Sequence, residues 1–252
     1  MKVDILASGS SGNCIAISVD DKTILIDAGI AKTKIEKRLM EVGITASNVE
    51  AIFITHAHGD HIKGLPLANK YNIPVYASKG EWKSIKSVDE GLIRETSEDG
   101  HLFYFEGKSI PQIKIVPFDV HHDAYEPKGY FIQSINCKVS VCLDTGLVDD
   151  SMMSAMNDSD IYIIESNHEP RMVEASNYPN SVKARIVSHI GHLSNQQTAE
   201  ALTKLVRGNG EKIYLVHLSS HNNLPGLAEM TVKRELVKKG FMAGKHYELE
   251  VI

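Results

Sequence analysis

Residues 55–61, with the sequence THAHGDH, combine residue types and a spacing that could bind metal ions. His56 and His58 are two residues apart, so in an extended backbone their side chains point to the same side. The glycine that follows permits a sharp turn, which directs Asp60 and His61 to a second position nearby. Imidazoles and carboxylates are ligands of divalent metals. The spacing predicts a centre with two metal ions, and it differs from the four-residue spacing of the helical H-E-x-x-H zinc motif.

A chance histidine-rich tract is the alternative interpretation of this motif. The preceding residues argue against it, because 51–54 form a short apolar run of β-branched and aromatic residues. Such a run predicts a strand that is buried on both faces and ends at the motif. The Gly/Ser loop at 8–13 is either a plain hairpin turn or a loop beside this site, where its backbone amides could approach an anion.

Four further apolar segments end in residues of the same chemical types. They are 113–118 before His121 and His122, 139–143 before Asp144, 161–164 before Glu165, and 213–216 before His217. Polar side chains held at the ends of strands in a rigid sheet are a common design for catalytic sites. We therefore expect these residues to contribute to one site.

Several helices and one edge strand are predicted from periodicity and end signals. Residues 33–43 predict an amphipathic helix with Thr33 as its N-cap and a glycine directly after its end. Residues 62–71 predict a helix with an irregular first turn, and 80–86 a short helix. A helix over 194–207 begins with a serine and a glutamine in capping-box spacing. Residues 101–105 predict an edge strand.

Composition limits the class of protein. The chain has 252 residues, of which 42% are hydrophobic, which is enough for one domain with a sizeable core. Its net charge of −5 argues against a broad basic face for duplex binding. The three cysteines show no C-x-x-C pairing, so neither a disulfide framework nor a thiolate zinc site is expected. No signal peptide or apolar run of membrane-spanning length is visible, so we expect a cytoplasmic protein without a membrane partner.

The motif and its place after a buried strand resemble the metallo-β-lactamase superfamily. The resemblance covers nearly the whole chain and narrows to the YycJ/WalJ group, small relatives of ribonuclease Z. It rests on six segments in addition to the motif, at 8–13, 122–124, 144–146, 165–168, 191–195 and 217–219. The resemblance implies a four-layer α/β/β/α sandwich that forms a single domain over 1–252, without a β-CASP insertion.

The resemblance also implies a set of seven ligands for two divalent metal ions, zinc or manganese. They are His56, His58 and His122 for one ion, Asp60, His61 and His217 for the other, and Asp144 as the bridge. His121 remains an alternative to His122. Asp144 stands where true β-lactamases carry a cysteine, which argues against an antibiotic hydrolase. His58 stands where diiron oxygen reductases carry a glutamate, which favours hydrolytic metals.

The activity implied is that of a dinuclear-metal-dependent phosphodiesterase. We expect a 5′-to-3′ DNA exonuclease whose nucleophile is a metal-bridging hydroxide. Asp60 would orient the water, and Glu165 with His192, by resemblance to ribonuclease Z, would protonate the departing oxygen. His192 could instead only donate to a carbonyl at a strand end. The residues expected to bind substrate are Ser194, Ser219 and Asn223, the first of them at a helix N-terminus that suits phosphate.

Two other functions remain open at this point. One is a cyclic or small-molecule phosphodiesterase of the same fold, which the net negative charge slightly favours. The other is a metal-stabilised regulatory module without catalysis, which the presence of every expected ligand disfavours. The native metal, the choice between DNA and RNA, and the oligomeric state do not follow from the sequence.

Overall fold

A computed structural model describes residues 1–104 and 112–252 of the chain. The chain is divided into two units, and each unit is made of two separate segments of the sequence. The first comprises Met1–Pro117 and Ala124–Lys128, and the second comprises Phe118–Asp123 and Gly129–Ile252. Phe105, at the end of the predicted edge strand, lies outside the described residues.

The first unit contains a six-stranded sheet whose strands lie side by side in sequence order. They are β1 (Lys2–Ala7), β2 (Cys14–Val19), β3 (Lys22–Ile26), β4 (Val49–Phe53), β5 (Val75–Ala77) and β6 (Ile93–Glu95). β1, β2 and β3 pair antiparallel, whereas β3 to β6 pair parallel. Every residue from 51 to 54 is fully buried, so the prediction of a buried strand that ends at the motif is confirmed.

Among its described residues, the first unit also contains three α-helices and an antiparallel pair of strands. They are α1 (Lys32–Glu41), α2 (Gly59–Ile62), α3 (Pro66–Tyr71), β7 (His101–Phe103) and β8 (Ile113–Asp119). β7 and β8 pair antiparallel, and the last two residues of β8 belong to the second unit. The break between α2 and α3 confirms the predicted irregularity around Gly64 and Pro66. The core beneath the helices is aliphatic and includes Ile35 and Leu39 of α1.

Two local predictions are wrong in detail. Thr33 is not the N-cap of α1, because the helix begins one residue earlier, at Lys32, after Ala31. The carbonyl of Ala31 accepts the N–H groups of the first turn, and no side chain caps the helix. Residues 80–86 form only a 3-10 turn over Glu81–Lys83. The glycine stop after α1 is confirmed, since Gly43 has a φ of 79°.

In the second unit, five strands lie side by side in the order β13-β12-β11-β10-β9. Their bounds are β9 (Lys128–Gln133), β10 (Lys138–Cys142), β11 (Ile161–Glu165), β12 (Glu211–Val216) and β13 (Tyr247–Val251). β9 pairs antiparallel with β10, and β10 to β13 are parallel. The carboxyl ends of parallel strands meet at one edge, where open α/β sheets usually place their ligands.

Five helices accompany these strands. They are α4 (Asp150–Met156), α5 (Pro170–Ala175), α6 (Asn180–Ile186), α7 (Asn195–Leu205) and α8 (Pro225–Lys238). α7 begins with the predicted capping box, in which Ser194 and Gln197 satisfy each other's backbone N–H groups. Leu202 and Leu236 take part in the aliphatic core of this unit. Across 1–104 and 112–252, no helix combines the length and apolarity that a bilayer span requires.

Gly29 marks a close backbone contact directly beside the motif. A Cβ atom at this position would lie 1.7 Å from the carbonyl oxygen of Asp60 and 2.4 Å from the amide nitrogen of Asn13. We predict that Gly29→Ala lowers the free energy of unfolding by about 3 kcal/mol, because backbone atoms must move apart. Gly91→Ala is the control, since nothing lies within 4 Å of its Cβ position. Urea denaturation of both variants gives the comparison, and equal losses would contradict the prediction.

Candidate functional site

The three histidines of the motif gather directly after β4, in the first unit. His56 Nε2 lies 2.9 Å from His58 Nδ1, and the rings of His56 and His61 have centroids 4.1 Å apart. The candidate ligand atoms of His56 lie within 4.8 Å of those of His58, and likewise of those of His61. The structure therefore brings His56, His58 and His61 close together, as their spacing in the sequence predicted. The Asp60 carboxylate stands beside them, 3.7 Å from His61 Nε2.

A buried carboxylate, Asp27, orients these rings. His61 Nδ1 donates to Asp27 Oδ2 at 2.7 Å, and Thr55 donates to the same carboxylate from its backbone N–H and its hydroxyl, at 2.8 and 2.9 Å. A hydroxyl has one proton, so Thr55 Oγ1, at 3.1 Å from His56 Nδ1, accepts there. Both rings thus donate a proton from Nδ1 to a protein group, so the lone pair of each ring is on Nε2. Histidines that bind metal typically have this arrangement.

Burial raises the pKa of Asp27 above its ordinary value, while His61 and Thr55 act to lower it. The cost of burying the carboxylate is therefore partly offset by three donated hydrogen bonds. The Gly/Ser loop lies beside the motif, as one of the two interpretations predicted. Asn13 donates its backbone N–H to the carbonyl of Asp60 at 2.8 Å, and its amide nitrogen lies 3.1 Å from His61 Nε2.

Two carboxylates and two imidazoles form a second cluster at the strand ends of the second unit. Its members are Asp144, Glu165, His192 and His217, whose candidate ligand atoms all lie within 4.8 Å of one another. Glu165 Oε1 lies 2.7 Å from His192 Nδ1 and 2.8 Å from His217 Nδ1. Asp144 Oδ1 lies 3.1 and 2.9 Å from the same two nitrogens. Both imidazoles therefore turn Nδ1 toward carboxylates.

The charges of this cluster stabilise one another. Burial raises the pKa of Glu165, but His192 and His217 outweigh burial and hold it at about 2. Burial lowers the pKa of His192, while Glu165 and Asp144 more than compensate and raise it to about 9. The same two carboxylates raise the pKa of His217 well above its ordinary value, against the effect of burial. The carboxylates favour the protonated form of both imidazoles, and a divalent cation would compete with these protons.

Three residues of these clusters have a left-handed backbone conformation, and each lies just after a strand. Asp27, Asp144 and His217 have φ values of 60°, 47° and 56°. Such values are uncommon for residues other than glycine, and they cluster at functional sites. Asn167 Nδ2 donates to the carbonyl oxygen of His217 at 2.9 Å. This hydrogen bond supports the strained conformation of His217.

The structure separates the two adjacent histidines that the sequence left as alternatives. His122 is buried, and its Nδ1 donates to the carbonyl of Gly191 at 3.2 Å. Burial lowers the pKa of His122, which keeps the ring in the neutral form that a ligand requires. The side chain of His121 is 37% exposed, and its Nε2 lies 2.7 Å from Asp149 Oδ2. The geometry therefore favours His122 as the ligand.

The predicted substrate-binding residues have other partners in the structure. Ser194 Oγ donates to Gln197 Oε1 at 2.7 Å as part of the capping box. Asn223 is buried, and its amide donates to the carbonyl of Ser166 at 2.8 Å. These two side chains stabilise the local backbone, and the role of each in binding substrate stays a prediction. Ser219 is half-buried, and its role in binding substrate stays a prediction.

Glu81 is a structural residue that the sequence analysis missed. It is buried, and its two carboxylate oxygens accept the backbone N–H groups of Ala57 and Glu126, both at 2.7 Å. Its partners are 24 and 45 residues away along the chain. No local signal in the sequence could have indicated it. Asn167 was also missed, although its place in the polar segment after β11 was a usable signal.

Comparisons with known proteins show the family to which the sequence is similar. Residues 22–218 match the family described as Beta-lactamase superfamily domain. Exodeoxyribonuclease YycJ of Bacillus anthracis is 37% identical over 248 residues, covering 97% of this chain and 92% of that protein. Exodeoxyribonuclease WalJ of Streptococcus pneumoniae serotype 2 (strain D39) is 36% identical over 250 residues, covering 98% and 93%.

A solved structure gives the same result for the fold. The metallo-beta-lactamase fold protein YhfI from Bacillus subtilis matches with a TM-score of 0.71 and 14% identity, over 99% of this chain and 95% of that one. At this identity the likeness concerns the fold alone. The predicted α/β fold class is confirmed.

The contrast between the adjacent histidines gives a test of the ligand assignment. We predict that His122→Ala lowers the content of tightly bound divalent metal by about one ion per chain, because it removes a buried neutral imidazole. His121→Ala should keep the metal content of the unchanged protein, since His121 is paired with Asp149. Elemental analysis of the purified proteins measures both values. Loss of metal in His121→Ala alone would reverse the assignment.

Proposed function

Because this chain belongs to the metallo-β-lactamase superfamily, we propose that it is a metal-dependent nuclease that hydrolyses phosphodiester bonds in DNA. The observation that carries the proposal is the buried cluster of Asp144, Glu165, His192 and His217, in which a carboxylate backs an imidazole that substrate can reach. Relatives named exodeoxyribonuclease, each alignable with nearly all of this chain, support DNA as the substrate.

The proposed cofactors are two divalent ions, zinc or manganese. The proposed ligands are His56, His58, Asp60, His61, His122, Asp144 and His217, with Asp144 as the bridge according to the superfamily pattern. The donors fit such ions, because nitrogen and oxygen ligands without a thiolate suit zinc and manganese. Asp27 and Glu165 hold His61 and His217 by Nδ1, as the supporting residues of metal ligands commonly do. The ions, when bound, would supply positive charge at the phosphodiester and lower the pKa of water.

His192 is the proposed proton donor to the departing oxygen. Glu165 Oε1 holds its Nδ1 at 2.7 Å, so Nε2 is the nitrogen that remains for substrate. The side chain of His192 is 17% exposed, whereas that of His217 is 4% exposed. His192 is therefore the more accessible imidazole of the cluster. Glu165 would stay ionised and stabilise the charged ring, while Asp60 would orient the attacking water.

The direction of cleavage and the location are further parts of the proposal. The resemblance to the YycJ/WalJ group supports a 5′-to-3′ exonuclease. A net charge of −5 does not oppose a nucleic acid substrate, since cations held locally at the site attract phosphate. A DNA substrate is consistent with a cytoplasmic protein.

Digestion of end-labelled nucleic acids tests the proposed function. The purified protein, loaded with zinc or manganese, is incubated with single- and double-stranded DNA, with RNA and with a small phosphodiester. The expected result is stepwise release of nucleotides from the 5′ end of DNA. Turnover of the small phosphodiester alone would make the chain a small-molecule phosphodiesterase. Bound metal without turnover of any substrate would make it a regulatory module.

Asp144→Ala tests the bridging ligand. We predict that this variant loses both bound metal and nuclease activity, because a bridge contributes to both ions. Asp21→Ala is the control, since Asp21 is exposed in the turn between β2 and β3. Elemental analysis and the digestion assay are run on both variants. Unchanged metal content in Asp144→Ala would remove Asp144 from the ligands.

His192→Ala tests the proton donor. We predict that turnover on an ordinary phosphodiester falls by roughly 10²–10⁴-fold, the usual contribution of a positioned acid. A substrate with a nitrophenolate leaving group needs little protonation, so its turnover should fall much less. Glu165→Gln should show the same pattern more mildly, because Glu165 acts through the imidazole that it holds. Equal losses on both substrates would place His192 in substrate binding, and loss of metal would make it a ligand.

A further inference from the structure

Tyr125 is an exposed aromatic residue in a segment whose backbone is bonded to the motif. It is 65% exposed and lies in the segment Ala124–Lys128, which belongs to the first unit. Single exposed aromatic residues are ordinary on protein surfaces, so exposure alone indicates nothing. What distinguishes Tyr125 is the way its segment is attached.

The backbone that follows Tyr125 is bonded to the motif, once through Glu81 and once directly. Glu81 is buried, and its carboxylate accepts the N–H of Glu126 through one oxygen and the N–H of Ala57 through the other, both at 2.7 Å. Ala57 is the residue between His56 and His58. Lys128 donates its N–H to the carbonyl of Thr55 at 2.9 Å. The backbone of the segment that carries Tyr125 therefore lies beside the motif whose histidines are proposed to bind metal.

The segment is also bonded to residues 78–80, which follow strand β5. Ser78 Oγ donates to the carbonyl of Glu126 at 2.9 Å, and Gly80 N–H donates to the Glu126 carboxylate at 2.5 Å. A Cβ atom at Gly80 would lie 3.1 Å from the Cβ of Tyr125, so the two segments are in close contact. A ring on an already ordered backbone loses little conformational freedom when a ligand stacks on it.

A cation accompanies the ring. Lys83 Nζ lies 5.2 Å from the centroid of the Tyr125 ring, within the range of a cation–π interaction. Lys83 and Lys79 are both exposed on the same short stretch of chain. An exposed aromatic ring next to lysines is the combination by which proteins bind single-stranded nucleic acid, through base stacking and phosphate attraction.

We propose that Tyr125 and Lys83 form a subsite that stacks one nucleobase of a single-stranded nucleic acid next to the phosphodiester to be cleaved. The inference rests on the proposed function and deepens it, because it specifies an unpaired strand end as the substrate. Bases within a duplex are stacked on each other and cannot lie against the ring. Stacking on a ring is tolerant of sequence, so the subsite should show little base preference.

A binding assay tests the subsite without relying on cleavage. The metal-loaded protein is titrated into single-stranded deoxyoligonucleotides with phosphorothioate linkages and one 2-aminopurine, whose fluorescence falls on stacking. Tyr125→Ala should weaken binding by about 5- to 100-fold and abolish the fluorescence change. Tyr125→Phe and Tyr125→Trp should retain both. Tyr104→Ala, at a tyrosine that is 57% exposed and also in the first unit, is the matched control.

Lys83→Gln tests the charge separately from the ring. It should reduce the slope of log affinity against log salt by about 0.7, the value for one phosphate contact on a single strand. The fluorescence change on stacking should remain, because the ring is intact. An unchanged salt slope would remove Lys83 from the subsite.

Turnover distinguishes failure of this inference from failure of the proposed function. In Tyr125→Ala, the loss of kcat/KM on single-stranded DNA should exceed the loss on a small phosphodiester by about tenfold or more. If the unchanged protein cleaves DNA and Tyr125→Ala binds and cleaves it equally well, the subsite is wrong and the proposed function stands. If the unchanged protein stacks the base without cleaving DNA, the subsite stands and the proposed function is wrong. Equal losses on both substrates together with loss of metal would give Tyr125 a structural role instead.

Discussion

Buried carboxylates hold the imidazoles in place, and the rest of the site depends on them. Asp27 binds His61 Nδ1, and Glu165 binds Nδ1 of both His192 and His217, all within 2.8 Å. A buried carboxylate without partners is strongly unfavourable, so each one requires its histidines as much as it orients them. This mutual requirement directs Nδ1 of each ring toward a carboxylate. Asp27, Glu165 and His217 lie at strand ends, where a rigid sheet supports the backbone.

The site is held at a cost in backbone strain. Asp27, Asp144 and His217 each follow a strand and each adopt a positive φ. A non-glycine residue in such a conformation costs of order 1–3 kcal/mol, and it persists only where surrounding contacts over-determine it. The hydrogen bond from Asn167 to His217 is one such contact. Side chains that are held in position before substrate binds contribute to catalysis. Backbone strain at these residues is therefore consistent with an enzyme.

Glu81 extends the same principle beyond the metal ligands. By accepting backbone N–H groups from residues 57 and 126, it joins the motif to the segment that carries Tyr125. One buried carboxylate thus fixes the motif and this segment relative to each other. The proposed stacking subsite would hold a nucleotide without a large basic face, in keeping with the negative net charge.

The sequence by itself determined the buried strand before the motif, the grouping of its histidines, the polar strand ends and the capping box of α7, because these depend on local periodicity and spacing. It misplaced the start of α1, where backbone carbonyls replaced the expected Thr33 cap. Only the tertiary structure distinguished His121, which pairs with Asp149, from the buried His122, since Asp149 is 28 residues away from His121. Only the structure also showed that Glu81 accepts backbone N–H groups and that the buried Asn223 amide donates to a backbone carbonyl. Contacts of this kind join residues far apart in sequence, and no local pattern specifies them.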